Sequence, residues 1–133
     1  MTPDRVVPVR HEADVLAARQ AARVLAEKIG FSETELTLIA TAISEIARNV
    51  ITYGKGGEMA LEVVTERARR GIVITARDQG PGIPDIERAM QDGFSTGNGL
   101  GLGLPGTRRL MDDFHIQSVV GSGTTIVMKK WKR

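Results

Sequence analysis

Residues 78–106, DQGPGIPDIERAMQDGFSTGNGLGLGLPG, decide how the rest of this 133-residue chain reads. They hold eight glycines and three prolines, too many for the interior of a helix or strand. Two glycine-dense loops result, one following an apolar strand and one preceding a helix. Glycine allows positive φ and lets backbone N–H groups approach a ligand with no Cβ in the way. The second loop, Gly99–Gly103, runs into Pro105, which suits a first helical turn because its missing N–H would have no partner there. Bare amides feeding a helix N-terminus favour an anion through both the free donors and the helix dipole. The expected site is therefore a nucleotide pocket. Asp78 reads the base, and Gly99, Leu100, Gly101, Leu102 and Gly103 hold the phosphates.

Working upstream, Gly71–Asp78 reads as a strand in which Ile72, Ile74, Ala76 and Asp78 share one face. A carboxylate continuing an apolar row needs a donor to offset its desolvation, although an Asp that merely caps a loop is the plainer alternative. Met59–Thr65 is the preceding strand, joined to it by a charged turn holding Arg69, Arg70 and Gly71. Before these, Ser32 and Glu35 form an S-x-x-E capping box. It opens a helix with a core stripe of Leu36, Ile39, Ile43 and Val50. At about 100° per residue, Glu45 and Asn49 project together, away from that stripe. An earlier helix runs from Glu12 to Ile29, with Val15, Leu16, Ala22, Leu25 and Ile29 at helical spacing and Gly30 as its stop. Val6–Val9 contains Pro8 and so suits an edge strand.

Downstream, Asp85 caps a short helix through Met90, and Gly93–Leu104 is irregular. Pro105–Phe114 is a third long helix with Leu104, Leu110 and Met111 as core candidates. Ile116–Val120, a Gly121-Ser122-Gly123 turn and Thr124–Trp131 close the chain as a hairpin. Strands and helices mix without regular β-α-β alternation. The expected fold is an α/β two-layer sandwich in which helices cover one face of a mixed, mostly antiparallel sheet. The length suits one domain over residues 1–133.

Bulk composition narrows the function classes. The chain has no cysteine, so disulfides, thiolate chemistry and cysteine metal sites are excluded. His11 and His115 cannot form a structural zinc site alone and read as structural or surface residues. No apolar run reaches the ~20 residues of a membrane span, and the N-terminus has no apolar signal region, so a cytoplasmic location is expected. The net charge is only +2. The basic end, Lys129, Lys130, Lys132 and Arg133, reads as a solvated terminus with no aromatic platform beside it, which argues against nucleic acid. Tyr53 and Trp131 read as packing residues, as do Met59, Met90, Met111 and Met128.

Glu45 and Asn49 could carry chemistry. A carboxylate can orient or deprotonate a hydroxyl, and an Asn carbonyl is a hard oxygen ligand of the kind Mg²⁺ accepts beside substrate phosphates and waters. The Walker pattern G-x-x-x-x-G-K-[ST] is absent, because Asn49 stands where its first glycine belongs relative to Gly54-Lys55. Gly99, Gly101 and Gly103 form G-x-G-x-G after a loop, which is not the dinucleotide fingerprint. No Lys or Arg lies between Arg88 and Arg108. Phosphate charge then has to be met by Mg²⁺, amides and the helix dipole, with Arg108 or a residue outside the loop assisting.

These segments together carry a resemblance. SEIARN (residues 44–49), DQGPGIPD (78–85), GLGLG (99–103) and GTT (123–125) resemble the N, G1, G2 and terminal-strand motifs of the GHKL ATPase/kinase superfamily. Their order and compactness are similar to those of its small serine/threonine kinases of the stressosome type, over nearly the whole chain, GFSTGN and RLMDDF included. The resemblance implies a Bergerat-type sandwich that binds ATP with Mg²⁺. Glu45 would be the catalytic base and Asn49 the Mg²⁺ ligand. Asp78 would bond the adenine amino group in a pocket shaped by Gly80 and Gly82. Gly99, Leu100, Gly101, Leu102 and Gly103 would form the phosphate lid, and Thr124 or Thr125 would supply a hydroxyl near the base. The implied substrate is a Ser or Thr on a STAS-domain stressosome scaffold or antagonist. A downstream phosphatase or other output enzyme would be the second partner. The alternative is a nucleotide-gated binding module such as an anti-sigma factor. Those relatives often place an arginine two residues before the G-x-G, where this chain has Gly99.

Overall fold

The computed structural model describes residues 2–91 and 103–133. Period-two alternation of apolar and polar residues builds five strands: β1 (Arg5–Val9), β2 (Gly57–Glu66), β3 (Arg69–Asp78), β4 (Asp113–Val119) and β5 (Gly123–Trp131). They form one sheet in the order β1-β2-β3-β5-β4. All four pairings among the described residues are antiparallel, in line with the expected mostly antiparallel sheet. Pro8 lies on β1, whose one neighbour is β2, as its missing donor requires.

Two long helices, α1 (Glu12–Lys28) and α2 (Glu33–Thr52), pack on one face of the sheet. The short α3 (Ile86–Ala89) and α4 (Gly103–Leu110) follow β3. The capping box is formed: the Glu35 amide donates to Ser32 Oγ at 3.1 Å, and the Ser32 amide donates to Glu35 Oε1 at 3.0 Å. Leu36, Ile39, Ile43 and Val50 of α2 are all buried against Met59, Leu61, Ile72, Ile74 and Met128 in one core. Gly30 ends α1 with φ +88. Leu16 is not a core residue; it is 56% exposed, because small alanines (Ala18, Ala21, Ala22, Ala26) form the buried stripe of α1. Among the described residues, no helix is long and apolar enough to cross a membrane.

Several boundaries differ from the sequence reading, each because pairing overrides local propensity. The β2–β3 turn is Arg67-Ala68, with φ of +50 and +69. This is the two-residue hairpin geometry that matches strand twist. It leaves Arg69 and Arg70 in β3, opposite Glu66 and Thr65. The last helix begins at Gly103 and ends at Leu110 rather than Phe114. The Asp112 amide already donates to the Lys129 carbonyl at 2.9 Å, and Phe114 enters β4 opposite Met128. The basic end is not simply solvated. Lys130 is 8% exposed, and its Nζ donates at 2.9 Å to the Leu110 carbonyl at the end of α4. Trp131 packs as expected; it lies across Gly71, with the Arg69 guanidinium 4.4 Å from its ring centroid.

Candidate active site

Sheet register assembles the site. At one end, Val9, Gly57, Asp78, Thr124 and Ser118 stand side by side across all five strands on the helix-covered face. The next row inward includes Ala76, Ile126 and Ile116. A cavity of about 500 Å³ opens here between the end of α2, the ends of β3 and β5, the Pro81–Asp85 loop and the start of α4. Its walls are mostly apolar, from Val50, Ala76, Ile83, Ala89, Leu104 and Ile126, with Asn49, Tyr53, Asp78, Asp85, Arg88 and Thr124 as the polar and charged residues. Few converging polar groups in an apolar cleft suit a planar, partly polar small molecule.

Asp78 is half-buried and held in place. Its Oδ1 accepts from the Gly80 amide at 3.0 Å and the Thr124 amide at 3.3 Å. Oδ2 has no donor among the described residues, so it is available to a ligand. Gly54 stands directly behind the carboxylate; a Cβ there would sit 2.4 Å from Asp78 Cγ and 2.5 Å from Oδ2. Gly80 abuts Gly54 in turn; a Cβ on Gly80 would lie 2.7 Å from the Gly54 Cα. The loop beyond is tied to the β4–β5 hairpin. The Ile83 amide donates to Ser118 Oγ at 2.7 Å, and the Gly121 amide donates to the Pro81 carbonyl at 2.8 Å. Gly82 has φ +80, and a Cβ on it would meet the Val119 carbonyl at 2.6 Å. Asp85 caps α3 by accepting from the Arg88 amide at 3.0 Å.

Of the residues singled out from sequence, Asn49, Asp78, Gly82 and Thr124 line the cavity together. Gly80 stands behind Asp78 as a donor. Thr124 faces the cavity and Thr125 does not, because Thr125 pairs with Arg77 on the opposite face of the sheet. Glu45 lies one helical turn before Asn49, half-buried and not itself part of the cavity wall. Gly103 is the first residue of α4, with φ +70, and its carbonyl accepts from the Thr107 hydroxyl at 2.8 Å. Gly99, Leu100, Gly101 and Leu102 lie outside the described residues. Arg108 is exposed on α4 and is not among the residues lining the cavity. Tyr53, read as a packing residue, is 40% exposed and lines the cavity. It stands one turn after Asn49, a spacing that could have flagged it. Gly54, Arg88 and Ser118 were missed, the first and last because their roles depend on tertiary contacts.

Among the described residues, no group of three or more acidic or histidine side chains could cage a metal. Asn49 offers a neutral amide oxygen at the wall, which fits a cation carried in largely by a ligand's own phosphates.

The model of the histidine kinase-like ATPase domain family matches residues 7–130. Serine/threonine-protein kinase RsbT of Bacillus subtilis is 49% identical over 133 residues, spanning 100% of both chains. An anti-sigma F factor of Geobacillus stearothermophilus is 39% identical over 104 residues, covering 72% of this chain and 69% of that one. In fold, the chain is similar to the RsbU and RsbW domains of a Mycobacterium tuberculosis protein. The TM-score there is 0.66 at 19% identity, over 99% of this chain and 33% of that one. A mycobacterial sensor histidine kinase, MprB, gives a TM-score of 0.58 at 15% identity, over 97% of each chain. A family match over most of the chain, a full-length kinase relative and a cavity built on its motif residues lead to one conclusion. The chain belongs to the histidine kinase-like ATPase domain family, as a protein serine/threonine kinase.

Proposed function

We propose that the chain binds ATP with Mg²⁺ in this cavity and phosphorylates a Ser or Thr of a STAS-domain regulatory protein, then engages a downstream phosphatase or other output enzyme in the cytoplasm. The observation that carries the reading is Asp78: a carboxylate fixed by two amides, with a free oxygen at the floor of an apolar cleft sized for a purine. In this reading Oδ2 accepts from the exocyclic amino group of adenine. Gly82 gives the base room, and Tyr53 packs at the mouth. Gly99–Gly103 supplies amides to the phosphates, leading into α4. Asn49 offers its oxygen to the metal, whose charge, when bound, neutralises the phosphates.

Glu45, one turn earlier on α2, takes a hydrogen bond from the acceptor hydroxyl and receives its proton as the phosphoryl group moves. Little covalent work falls to the protein in such transfers; positioning and charge stabilisation dominate. The test is labelled-phosphate transfer to a purified STAS-domain partner. Glu45→Ala should keep ADP affinity within about threefold while transfer falls by roughly 10²–10⁴-fold, the usual range for a lost general base. Transfer at the wild-type rate would reject the assignment.

The match to anti-sigma F factors favours a second reading, in which complex formation gated by nucleotide is the main output. A Glu45→Ala chain that still switches a partner's activity when ATP is present would support it.

A further inference from the structure

We propose that Arg88 is the protein's own cation for the phosphates of the bound nucleotide, and so sets the preference for a nucleotide over its nucleoside. This rests on the nucleotide reading above and deepens it. The cavity wall carries two carboxylates, Asp78 and Asp85, against one guanidinium, Arg88. A polyphosphate entering such a wall meets net negative charge unless a cation faces it.

The cations around the cavity can be taken in turn. The chain from Ala89 to Thr107 contains no Lys or Arg. Arg108 and Arg109 lie in the last turn of α4, whereas Leu104, near the start of that helix, lines the cavity. Arg48 precedes Asn49, but its Nε sits 3.5 Å from Glu12 Oε1 on α1, and it is not among the residues lining the cavity. Arg10, Lys55 and Arg77 line a separate hollow that shares Gly54 and Asp78 with the cavity. Among the described residues, Arg88 is the cation left at the wall.

Its backbone is held on both sides. The Arg88 amide donates to Asp85 Oδ1 at 3.0 Å, and the next residue, Ala89, is buried in the core. The loop before α3 is tied to β4 through the Ile83 amide and Ser118 Oγ at 2.7 Å. Arg88 itself is exposed, which places it at the rim. A guanidinium presents paired N–H donors that fit two phosphate oxygens at once. An arginine can also stack on an aromatic ring, so the test has to separate a contact to phosphate from one to the base.

ADP, titrated by calorimetry, and adenosine, titrated by NMR, make the separation. Arg88→Gln should weaken ADP about 10- to 100-fold, the range for a hydrogen bond between charged groups, while adenosine stays within about twofold of its wild-type affinity. The ADP loss should shrink as salt is raised, because an exposed charge is screened. Arg88→Lys keeps the charge without the planar fork and should fall between wild type and Arg88→Gln. Arg108→Gln should leave ADP within about threefold. A thermal melt checks each fold; if Arg88→Gln does not fold, Arg88→Lys carries the test, with ADP weakened and adenosine unchanged. Equal losses for adenosine and ADP would make Arg88 a support for the base and overturn the assignment. So would an unchanged ADP affinity, an ADP loss independent of salt, or a larger loss from Arg108→Gln. If the wild-type chain bound neither ligand, the nucleotide reading itself would fail, and this assignment with it.

Discussion

Replacing Gly54 with alanine tests whether Asp78 is held where a base can reach it. The added Cβ would lie 2.4 Å from Asp78 Cγ, 2.5 Å from Oδ2 and 2.6 Å from Asp78 Cβ, whereas ordinary contact begins near 3.4 Å. The carboxylate must retreat by about 1 Å or change rotamer, and either move withdraws Oδ2 from the cavity. Losing one hydrogen bond to a charged group costs about 1.5–3 kcal/mol, roughly 10- to 150-fold in affinity. Gly54 does not occupy the left-handed region, so alanine is tolerated by the backbone and the fold should survive. The expected result is an ADP Kd raised at least about 10-fold with Tm lowered by only a few degrees. The measurements are calorimetric titration and a thermal melt. Gly30→Ala is the control. Its φ is +88, and the added Cβ would meet only the flexible Lys132 side chain, so it should lower Tm through backbone strain while leaving ADP affinity within about threefold. An ADP Kd for Gly54→Ala within threefold of wild type would refute the reasoning, since the clash is unavoidable if Asp78 stays in place.

Other consequences are directly measurable. Asp78→Asn keeps shape but gives up the ionised acceptor, and ADP affinity should fall about 10-fold or more by calorimetry; unchanged affinity would remove Asp78 from base recognition. At the start of α2, burial alone would raise the Glu35 pKa. The Ser32 amide and hydroxyl and the Arg133 amide outweigh it and hold the carboxyl below its ordinary value. A depressed folded pKa means that the cap's contribution is complete above the ordinary glutamate value of about 4.3 and is lost as pH falls through the lower folded value. Melts between pH 3 and 6 should therefore show a shallower acid decline for Glu35→Gln than for wild type, and identical slopes would discount this carboxyl. At the far end of β3, Gly71→Ala would drive a Cβ to 2.7 Å from the Trp131 ring and 2.6 Å from the Lys130 carbonyl. A cost of about 1–3 kcal/mol should lower Tm by several degrees with ADP binding intact, and a Tm equal to wild type would contradict that packing.

Much of this was legible in local sequence. The S-x-x-E cap, the stripe of α2 and the apolar row ending in Asp78 are period signals, and each survives into the structure because burial and local preference agree there. The errors cluster where they disagree. Leu16 has helical spacing but lost its place to smaller side chains that bring α1 close to its neighbours. Phe114 continues a helical pattern, yet β5 offers the Asp112 amide a partner and starts a strand instead. Lys130 reads as a solvated terminal charge, and only the approach of the Leu110 carbonyl gives it a buried role. Nothing local to Gly54 reveals that its missing Cβ is the space Asp78 occupies.

The site depends on register more than on any single loop. Asp78 and Thr124 face the cavity because they are directly opposed across β3 and β5. Side chains alternate with a period of two, so a slip of one residue would turn Thr124 to the open face and bring Thr125 in. Thr125 now faces away beside Arg77; in the slipped state it would displace Thr124, whose hydroxyl would lose its contact with Ser118. The structure guards against this at the hairpin tip. Gly121 donates to Pro81, and Ser118 bridges Ile83 and Thr124, so the loop after β3 is fastened to the strand pair that must stay in register with it. The bonds that hold the base-reading end of the cavity are thus also the bonds that fix β4 and β5 against β3, and a variant that frees the tip should lose nucleotide affinity before it loses the fold.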